Sequence, residues 1–416
     1  MNRWNRIIPA AFIMYTIAYM DRTNFSLAIP SLQREFALTA GQAALASGVF
    51  FAGYVLFQMP GGYLAQVWSA KRLIFWSLIV WGAGATLCGL SRTLQELLFF
   101  RFLLGIGEAG AWPATIVLLA NWFEPRERAR ANGYWVLCQP AAIVLSSPFS
   151  GWLLDHYTWR AMFIVEGLFP IGFAAMWWWA VEDRPSQAKW AKDKDVPPFP
   201  VERSAPGKNA ASGLAFLRDR NVWIFLTLNL AFACGAYGML IWLPTAIKSL
   251  GARNNLVVGI LTAMPYLFAG FGAVFNSRLS DRAGERRWHA AVPCLVAGVA
   301  LASGFLLSST IPALSLLFLC ITGAGIYASL GPKWALMTEI LPKQTAGLAL
   351  GLVNGVGNVG GFGGPYVVGA LKDYTNSFAA GFLFLSGCLV LAGFLLLLLA
   401  KPVRLVGPLE LPRQRA

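Results

Sequence analysis

The sequence predicts an all-α integral membrane protein in which twelve transmembrane helices form two pseudo-symmetric six-helix bundles. Three observations lead to this fold class: an apolar composition, twelve apolar runs long enough to cross a bilayer, and a weak internal repeat. Of the 416 residues, 57% are hydrophobic and 12% are charged, whereas soluble domains carry about 25% charged residues. A soluble protein of this composition would expose large apolar patches, so soluble enzymes, disordered chains and coiled coils are excluded.

Twelve apolar runs supply the predicted helices, because about 20 apolar residues in a helix cross the hydrocarbon core of a bilayer. The first six runs are 7–29, 42–65, 73–91, 95–119, 131–154 and 160–181. The second six are 220–244, 255–277, 289–308, 312–337, 347–371 and 378–400. The first run has a basic start, as a signal peptide does, but no small-residue cleavage site follows it, so we expect an uncleaved first helix.

The polar stretches predict the domain organisation. The N-terminal six-helix bundle occupies 1–181 and the C-terminal bundle 220–400, with a proline-rich, basic cytoplasmic linker at 182–219 and a cytoplasmic tail at 401–416. Of the 33 Lys and Arg residues, 23 fall in segments on the side of the termini and six in loops on the opposite side. Because basic loops stay in the cytoplasm, both termini are predicted to lie on the cytoplasmic side of the cell inner (plasma) membrane.

The net charge of +14 does not predict a nucleic-acid partner, because the basic residues form short clusters between apolar runs. The six cysteines stand singly inside apolar runs, and the two histidines, His156 and His289, lie far apart. No metal-ligand spacing or nucleophile–base set is present. We therefore expect no cofactor, no metal and no enzymatic activity.

The two halves are weakly similar at an offset of about 215 residues. The loop after the second run reads GYLAQVWSAKR (Gly62 to Arg72), and the loop after the eighth reads SRLSDRAGERR (Ser277 to Arg287). Internal repeats of this kind are typical of secondary transporters, whose sites lie at the interface of the repeats near the membrane midplane.

Four ionisable residues lie inside the predicted first-half helices: Asp21, Arg22, Arg101 and Glu108. Charge inside a membrane span is costly, so such residues indicate function by default. The positions one repeat later are uncharged: Ala236, Tyr237, Leu316 and Gly323. The six-helix unit therefore forms without these charges, and we interpret them as a substrate and proton site, with a structural ion-pair cluster as the alternative.

Charge balance predicts how this site works. Two cations and two anions sum to zero, and a substrate carboxylate on Arg22 adds one negative charge, which is costly in a low-dielectric cavity. Protonation of Asp21 or Glu108 restores neutrality. Anion and proton are therefore expected to bind together and to be released together, which is symport.

A set of motifs runs along nearly the whole chain. The first half contains YMDRTNFSLAIPSL, FFAGYVLFQMPGGYLA, RFLLGIGEAGAWPA, NWFEPRERARANG and WRAMFIVEG, and the second contains GPKWALMTEILPK and AGLALGLVNGVGNVGGFGGPYVVG. In this order and spacing, the chain resembles the major facilitator superfamily and, within it, the anion:cation symporter family. That family includes bacterial sugar-acid:proton symporters such as the D-galactonate transporter, as well as sialin and the vesicular glutamate transporters.

The resemblance implies roles for matching positions. Asp21 and Glu108 match the proton-coupling carboxyls, Arg22 matches the carboxylate-binding cation, and Arg101 matches the partner that modulates Glu108. Further substrate-cavity positions are matched by Tyr19, Tyr54, Gln139, Asn354 and Asn358. The loop after the second run departs from the family pattern, because Gln66 stands where the superfamily carries Asp, and this predicts rearranged inner-gate contacts in the first half.

The function expected from the sequence is proton-coupled uptake of a small organic anion, such as a sugar acid or another carboxylate, by alternating access of two bundles. The transporter is expected to work as a monomer surrounded by membrane lipid. A proton-driven drug or solute antiporter, a neutral-solute porter of the same fold and a non-transporting membrane sensor remain as alternatives.

Two further buried charges are given secondary roles. Lys333, near the end of the tenth run, is expected to snorkel or to pair with Glu339 at the inner gate in preference to contacting substrate. Glu166, in the sixth run, is within reach of Arg160 and is not expected to couple protons.

Overall fold

A computed structural model of the protein describes residues 3–191, 215–249, 251–252, 254–307, 311–341 and 346–399. Its first eight α-helices are α1 (Ile7–Phe36), α2 (Ala40–Val67), α3 (Ala70–Leu90), α4 (Leu94–Ala109), α5 (Ala111–Trp122), α6 (Pro125–Val136), α7 (Cys138–His156) and α8 (Trp159–Ala180). The other six are α9 (Arg220–Ser249), α10 (Asn255–Ala283), α11 (Arg287–Leu306), α12 (Pro312–Ile340), α13 (Ala346–Thr375) and α14 (Ala379–Leu398). The predicted tail 401–416 and most of the predicted linker 182–219 lie outside the described residues.

These helices form twelve membrane-length rods, since α4 continues into α5 and α6 continues into α7. The rods correspond to the twelve predicted spans. Both interruptions have a proline as their cause: Pro113 and Pro140 have no N–H to bond the carbonyls of Ala109 and Val136, the residues four positions earlier. The helices α4 and α6 end at these two residues.

Among the described residues, ten of these rods have the length and the apolar composition needed to cross a membrane. The other two, α1 and α13, carry polar groups that lower their mean hydropathy. Asp21 and Arg22 lie in α1, and α13 contains Asn354 and Asn358 among many glycines. Both helices have 30 residues, or about 45 Å at 1.5 Å per residue, which exceeds the thickness of a bilayer core.

The helices pack in two groups, α1–α8 and α9–α14. Within the first group, α3 packs on α4 and α8, and α1 packs on α7 and α8; within the second, α11 packs on α12 and α14, and α9 packs on α13 and α14. Between the groups, α7 packs on α10, α2 on α13 and α1 on α9. The internal repeat relates α2 to α10 and α7 to α13. The α2–α13 contact is therefore the counterpart of the α7–α10 contact.

Glycines allow the closest of these contacts. A Cβ atom added to Gly259 of α10 would lie 2.2 Å from the carbonyl oxygen of Ser147 in α7. A Cβ atom added to Gly364 of α13 would lie 2.3 Å from the carbonyl oxygen of Cys234 in α9. Both distances are far inside van der Waals contact, so only glycine permits these backbones to approach so closely.

Two carboxylates join the groups at one end of the molecule. We call the end at which α1 begins the terminal face and the end at which α1 finishes the distal face. At the distal face, Asp373 of α13 accepts hydrogen bonds from the first two backbone N–H groups of α2, at 2.8 and 2.7 Å. Asp155 of α7 accepts from the first two N–H groups of α10, at 2.9 and 2.8 Å. A carboxylate at a helix N-terminus is stabilised by the helix dipole, so these contacts hold the distal face closed.

The terminal face is organised by contacts within each group. In the first group, Asp183 after α8 accepts from Ser69 Oγ at 2.5 Å and from the backbone N–H of Lys71 at 2.9 Å. The ammonium of Lys71 pairs with Glu182 at 2.8 Å. Gln66 lies in the last turn of α2, and these contacts join the loop that follows it to the end of α8. Among the described residues, the hydrogen bonds that join the two groups away from the distal face lie within the helices: Asn358 of α13 donates to Gln58 of α2 at 3.0 Å, and the hydroxyls of Tyr19 and Tyr237 lie 3.5 Å apart.

Candidate functional site

A cavity of about 140 Å³ lies between the two groups of helices. The structure brings together at this cavity all the residues that the sequence indicated for substrate binding: Tyr19, Arg22, Tyr54, Gln139, Asn354 and Asn358. Its charged lining residues are Arg22 and Lys333, and both are cationic. The basic side chains in this lining therefore favour the binding of an anion in the cavity.

Arg22 and Glu108 form a buried ion pair beside the cavity. The Nη2 atom of Arg22, on α1, lies 2.5 Å from the Oε1 atom of Glu108, near the end of α4. Glu108 is fully buried and Arg22 is 3% exposed. The Nε and Nη1 atoms of Arg22 and the Oε2 atom of Glu108 have no hydrogen-bond partner among the described residues. The pair thus leaves donors on the cation and one acceptor on the acid unused.

Aromatic rings surround the Arg22 guanidinium. Its central carbon lies 4.5 Å from the ring centre of Tyr19, 5.0 Å from that of Phe50 and 5.7 Å from that of Tyr54. The hydroxyl of Tyr19 in turn lies 3.5 Å from the hydroxyl of Tyr237 on α9. Cation–π attraction holds the guanidinium in place without occupying its N–H groups.

Asp21 and Arg101 lie behind the cavity wall and not on it. Arg101 donates from Nη1 to the backbone carbonyl of Asp21, and from Nε to that of Ala46, both at 3.4 Å. The Asp21 carboxylate accepts from the amide of Asn24 at 3.4 Å. Neither Asp21 nor Arg101 has an ion-pair partner within 4 Å in the described part of the chain. Arg22, and not Arg101, holds Glu108, because seven residues of helix separate Arg101 from Glu108 by about 10 Å.

A third buried acid, Glu166 of α8, lies in the same group of helices. Its Oε1 accepts from Ser150 Oγ of α7 at 2.6 Å, and its Oε2 has no partner among the described residues. The pairing with Arg160 considered from the sequence does not form. Arg160 instead pairs with Glu35, at the distal end of α1, at 2.6 Å.

Lys333 of α12 faces the cavity, which corrects the gate contact expected from the sequence. Its Nζ donates to the Oδ1 atom of Asn229 at 2.8 Å and lies 3.9 Å from the ring centre of Phe232. Glu339 pairs with Arg286 at 3.2 Å. Six residues of helix turn Glu339 about 120° away from Lys333, so the two side chains point to different surroundings.

Sequence reasoning underestimated Lys333 although a signal was present. Apart from Arg220 at the start of the seventh run, Lys333 is the one charged residue within a predicted second-half span, and a charge within a span indicates function. Asn229 and Tyr237, which also line the cavity, carried no comparable signal, because polar uncharged residues are common in membrane helices.

Comparison with known proteins identifies the family. The sequence profile of the Major Facilitator Superfamily matches residues 11–365 and 253–415. This chain belongs to the major facilitator superfamily. Among the described residues of this superfamily member, no group of three or more His, Cys, Asp or Glu side chains is arranged to hold a metal ion.

Relatives support this assignment over more than nine tenths of the chain, and a solved structure has the same fold. A protein of Agrobacterium vitis named as a tartrate transporter is 32% identical over 406 residues, covering 95% of this chain and 93% of its own. The quinolone resistance transporter of Acinetobacter baumannii is 30% identical over 400 residues, covering 92% of this chain and 90% of its own. The xylose transporter XylE of E. coli, 16% identical, superposes with a TM-score of 0.75 over 95% of each chain.

These comparisons confirm the predicted fold class and the expectation that the protein is a multi-pass membrane transporter and not an enzyme. The tartrate relative agrees with the resemblance to the anion:cation symporter family. The structural likeness to XylE concerns the fold alone.

Proposed function

We propose that this transporter takes up a small organic anion, such as a sugar acid or another carboxylate, together with protons across the cell inner membrane. One observation supports this most directly: Arg22 lines the cavity, and two of its guanidinium nitrogens have no partner among the described residues. Arginine binds carboxylates through paired N–H donors, and such charge-assisted bonds are strong in a site shielded from water. The relative named as a tartrate transporter agrees with an anionic cargo.

The proposed site places the substrate carboxylate on Arg22 and the remaining polar groups of the substrate on neutral side chains. These side chains are Tyr19, Tyr54, Gln139, Asn354 and Asn358, all of which line the cavity. Hydroxyl and amide groups both donate and accept hydrogen bonds, which suits a substrate that carries hydroxyls.

Glu108 couples the substrate to a proton by competing with it for Arg22. While Glu108 is ionised, it holds one arm of Arg22 at 2.5 Å, and a second carboxylate on Arg22 leaves excess negative charge in a buried place. A proton on Glu108 removes that excess and releases the guanidinium to the substrate. When the proton leaves on the other side, the ionised acid reclaims Arg22 and the substrate is expelled.

Asp21 is the second proposed proton carrier. Its buried carboxylate accepts a hydrogen bond from Asn24 and has no ion-pair partner among the described residues. A proton on Asp21 cancels a negative charge that otherwise adds to the charge of Glu108 and the substrate. Arg101 lies next to the Asp21 backbone and offsets part of the same charge.

Transport proceeds by movement of two bundles, 1–181 and 220–400, around the cavity, with 182–219 as a cytoplasmic linker and 401–416 as a cytoplasmic tail. The described contacts hold the distal face closed. With both termini in the cytoplasm, as the distribution of basic residues favours, this is the conformation that releases cargo inside. A monomer contains all the proposed parts.

A proton-driven drug antiporter is the second candidate, and the quinolone-resistance relative favours it. Such a transporter moves cargo out of the cell in exchange for protons, whereas the proposed symporter moves both inward. The sign of substrate flux under an imposed proton gradient separates the two.

Uptake by proteoliposomes under an imposed inward proton gradient, with a panel of carboxylates, tests the proposal. Arg22→Ala is expected to lower carboxylate affinity at least a hundredfold, because the site loses its cation at the cavity wall. Glu108→Gln is expected to retain binding and counterflow exchange but to lose accumulation driven by the gradient, because glutamine carries no titrating proton.

Two exposed residues on the same helices provide matched controls. Arg34→Ala in α1 and Glu96→Gln in α4 change the same residue types far from the cavity and should transport like the unmodified protein. Accumulation of substrate by Glu108→Gln to the unmodified level would refute the proton assignment, and unchanged affinity in Arg22→Ala would refute the anion assignment.

A further inference from the structure

The cavity has a cation on each side. Arg22 comes from α1 in the first group of helices, and Lys333 comes from α12 in the second. No acidic side chain of the described residues lines the same cavity. The proposed function uses Arg22 and leaves Lys333 without a task.

Lys333 is held in place but is not neutralised. Its ammonium donates to Asn229 Oδ1 at 2.8 Å, and the Asn229 amide donates to the carbonyl of Val353 in α13 at 2.8 Å. The amide orientation is thus set by α13, so that its oxygen faces Lys333. In the described part of the chain Lys333 has no carboxylate within 4 Å, although it is only 3% exposed. A buried ammonium without an anion is costly, and an anion that enters the cavity removes this cost.

We propose that Lys333 forms a second anion subsite and that the cargo is a dicarboxylate, with one carboxylate on Arg22 and the other on Lys333. This inference rests on the proposed function, because it takes the Arg22 subsite as given. It narrows the substrate from any carboxylate to a dianion that spans the two groups of helices.

Charge balance favours a dianion over a monoanion. Arg22 and Glu108 cancel, as do Arg101 and Asp21. Glu166 is counted as protonated, because it is buried with a hydroxyl as its hydrogen-bond partner and no cation within 4 Å among the described residues. Protonated Lys333 then leaves the empty site at +1. A monoanion brings the sum to zero with no proton, so only its local competition with Glu108 for Arg22 then couples it to a proton. A dianion brings the sum to −1, and one proton on Glu108 or Asp21 restores zero. Coupling to one proton therefore follows from charge balance when the cargo is a dianion.

The positions of the two cations also give selectivity in the conformational step. A dicarboxylate binds both groups of helices and draws them together, whereas a monocarboxylate leaves one cation without its partner. Binding energy from the second carboxylate is thus available to favour the occluded state, and a monoanion lacks it.

Matched acid pairs test the inference on the purified full-length transporter. We would measure dissociation constants by isothermal titration calorimetry for L-tartrate against L-threonate and for galactarate against D-galactonate. Within each pair, one carboxylate is replaced by a hydroxymethyl group. At least one dianion is expected to bind tenfold or more tightly than its monoanion. Lys333→Gln should reduce that ratio to within about twofold, and Lys333→Arg should preserve most of it. The exposed Lys189→Gln serves as the control and should keep the ratio of the unmodified protein.

The outcomes separate this inference from the proposed function. If both monoanions bind the unmodified protein as tightly as their dianions, or if Lys333→Gln weakens both members of a pair equally, the second subsite is wrong and the Arg22 site stands. If no carboxylate in either pair binds, or if Arg22→Ala leaves their binding unchanged, the proposed function itself fails. The comparison of dianion with monoanion in the unmodified protein needs no variant, so it decides the matter even if Lys333→Gln does not fold.

Discussion

Arg22 combines two tasks that compete for the same guanidinium. Glu108 occupies one nitrogen at 2.5 Å, and the rings of Tyr19, Phe50 and Tyr54 hold the cation without using its donors. A guanidinium that was fully hydrogen-bonded by the protein would bind no substrate, whereas one held only by water would be poorly oriented. The aromatic surroundings therefore prepare Arg22 to bind an anion.

The ring of Tyr19 is expected to matter more than its hydroxyl. Tyr19→Leu removes the ring that lies 4.5 Å from the Arg22 guanidinium, and a cation–π contact of about 0.5–2 kcal/mol corresponds to a loss of about 2- to 30-fold in anion affinity. Tyr19→Phe keeps the ring and should stay within about threefold of the unmodified protein. Calorimetric titration with the preferred carboxylate measures both. Equal losses in the two variants would mean that the hydroxyl contact to Tyr237 dominates.

At the level of helices, prolines and glycines decide where the chain breaks and how closely rods approach. The breaks before Pro113 and Pro140 place Glu108 near the end of α4 and Gln139 near the start of α7, so both lie next to interrupted backbone. Glycines then bring α2 and α4 together. These helix breaks and close backbone contacts determine where the side chains of the cavity lie.

Gly105 of α4 provides a direct test of this packing. A Cβ atom there would lie 2.1 Å from the carbonyl oxygen of Phe50 in α2, so Gly105→Ala must push the two helices apart. Overpacking of this kind costs about 1–3 kcal/mol, and the midpoint of thermal unfolding in detergent should fall by several degrees. Gly172→Ala in α8 has nothing within 4 Å of the added atom and should leave the midpoint unchanged. A Gly105→Ala protein as stable as Gly172→Ala would refute the close approach.

At the level of the whole molecule, the two groups of helices are joined at the distal face by two symmetry-related carboxylates. Asp155 and Asp373 each accept from a helix N-terminus of the opposite group. Alternating access requires such contacts to break in each cycle, so their strength sets the balance between the two conformations.

Removal of these carboxylates is expected to favour a conformation open at the distal face. Asp373→Ala deletes two charge-assisted hydrogen bonds, and Asp155→Ala deletes three, since Asp155 also accepts from the side-chain amide of Asn255 at 2.8 Å. One such bond contributes about 1.5–3 kcal/mol, enough to raise the open population about tenfold or more. Spin labels at Arg92, in the loop between α3 and α4, and at Tyr374, in the last turn of α13, report the separation of the two groups at the distal face by pulsed electron resonance. Glu35→Ala removes an ion pair within the first group and should not change the distance distribution. Distributions identical to the unmodified protein in both aspartate variants would show that these contacts do not control the closed state.

The membrane character, the twelve spans, the repeat and the buried Arg22 could be predicted from the pattern of residues along the chain. The polar cavity residues Tyr19, Tyr54, Gln139, Asn354 and Asn358 came from the resemblance to a known family, and Asn229 and Tyr237 were not predicted. Hydrophobic length is a local property, and a charge inside an apolar run is conspicuous wherever it occurs. The partners of those charges could not be predicted in this way. Arg101 shares a helix with Glu108, but Glu108 pairs with Arg22, and Lys333 turns away from Glu339 towards Asn229.

Local composition was therefore sufficient to predict the spans and to single out the buried charges, because the free energy of moving apolar and charged groups into lipid depends on residue type and on the length of the run. Pairing depends instead on how helices from distant parts of the chain cross, and on which way each side chain faces at the crossing. The cavity with a cation on each side, and with it the proposal of a dianionic cargo, emerged only when α1 and α12 were seen to face one another across the same space.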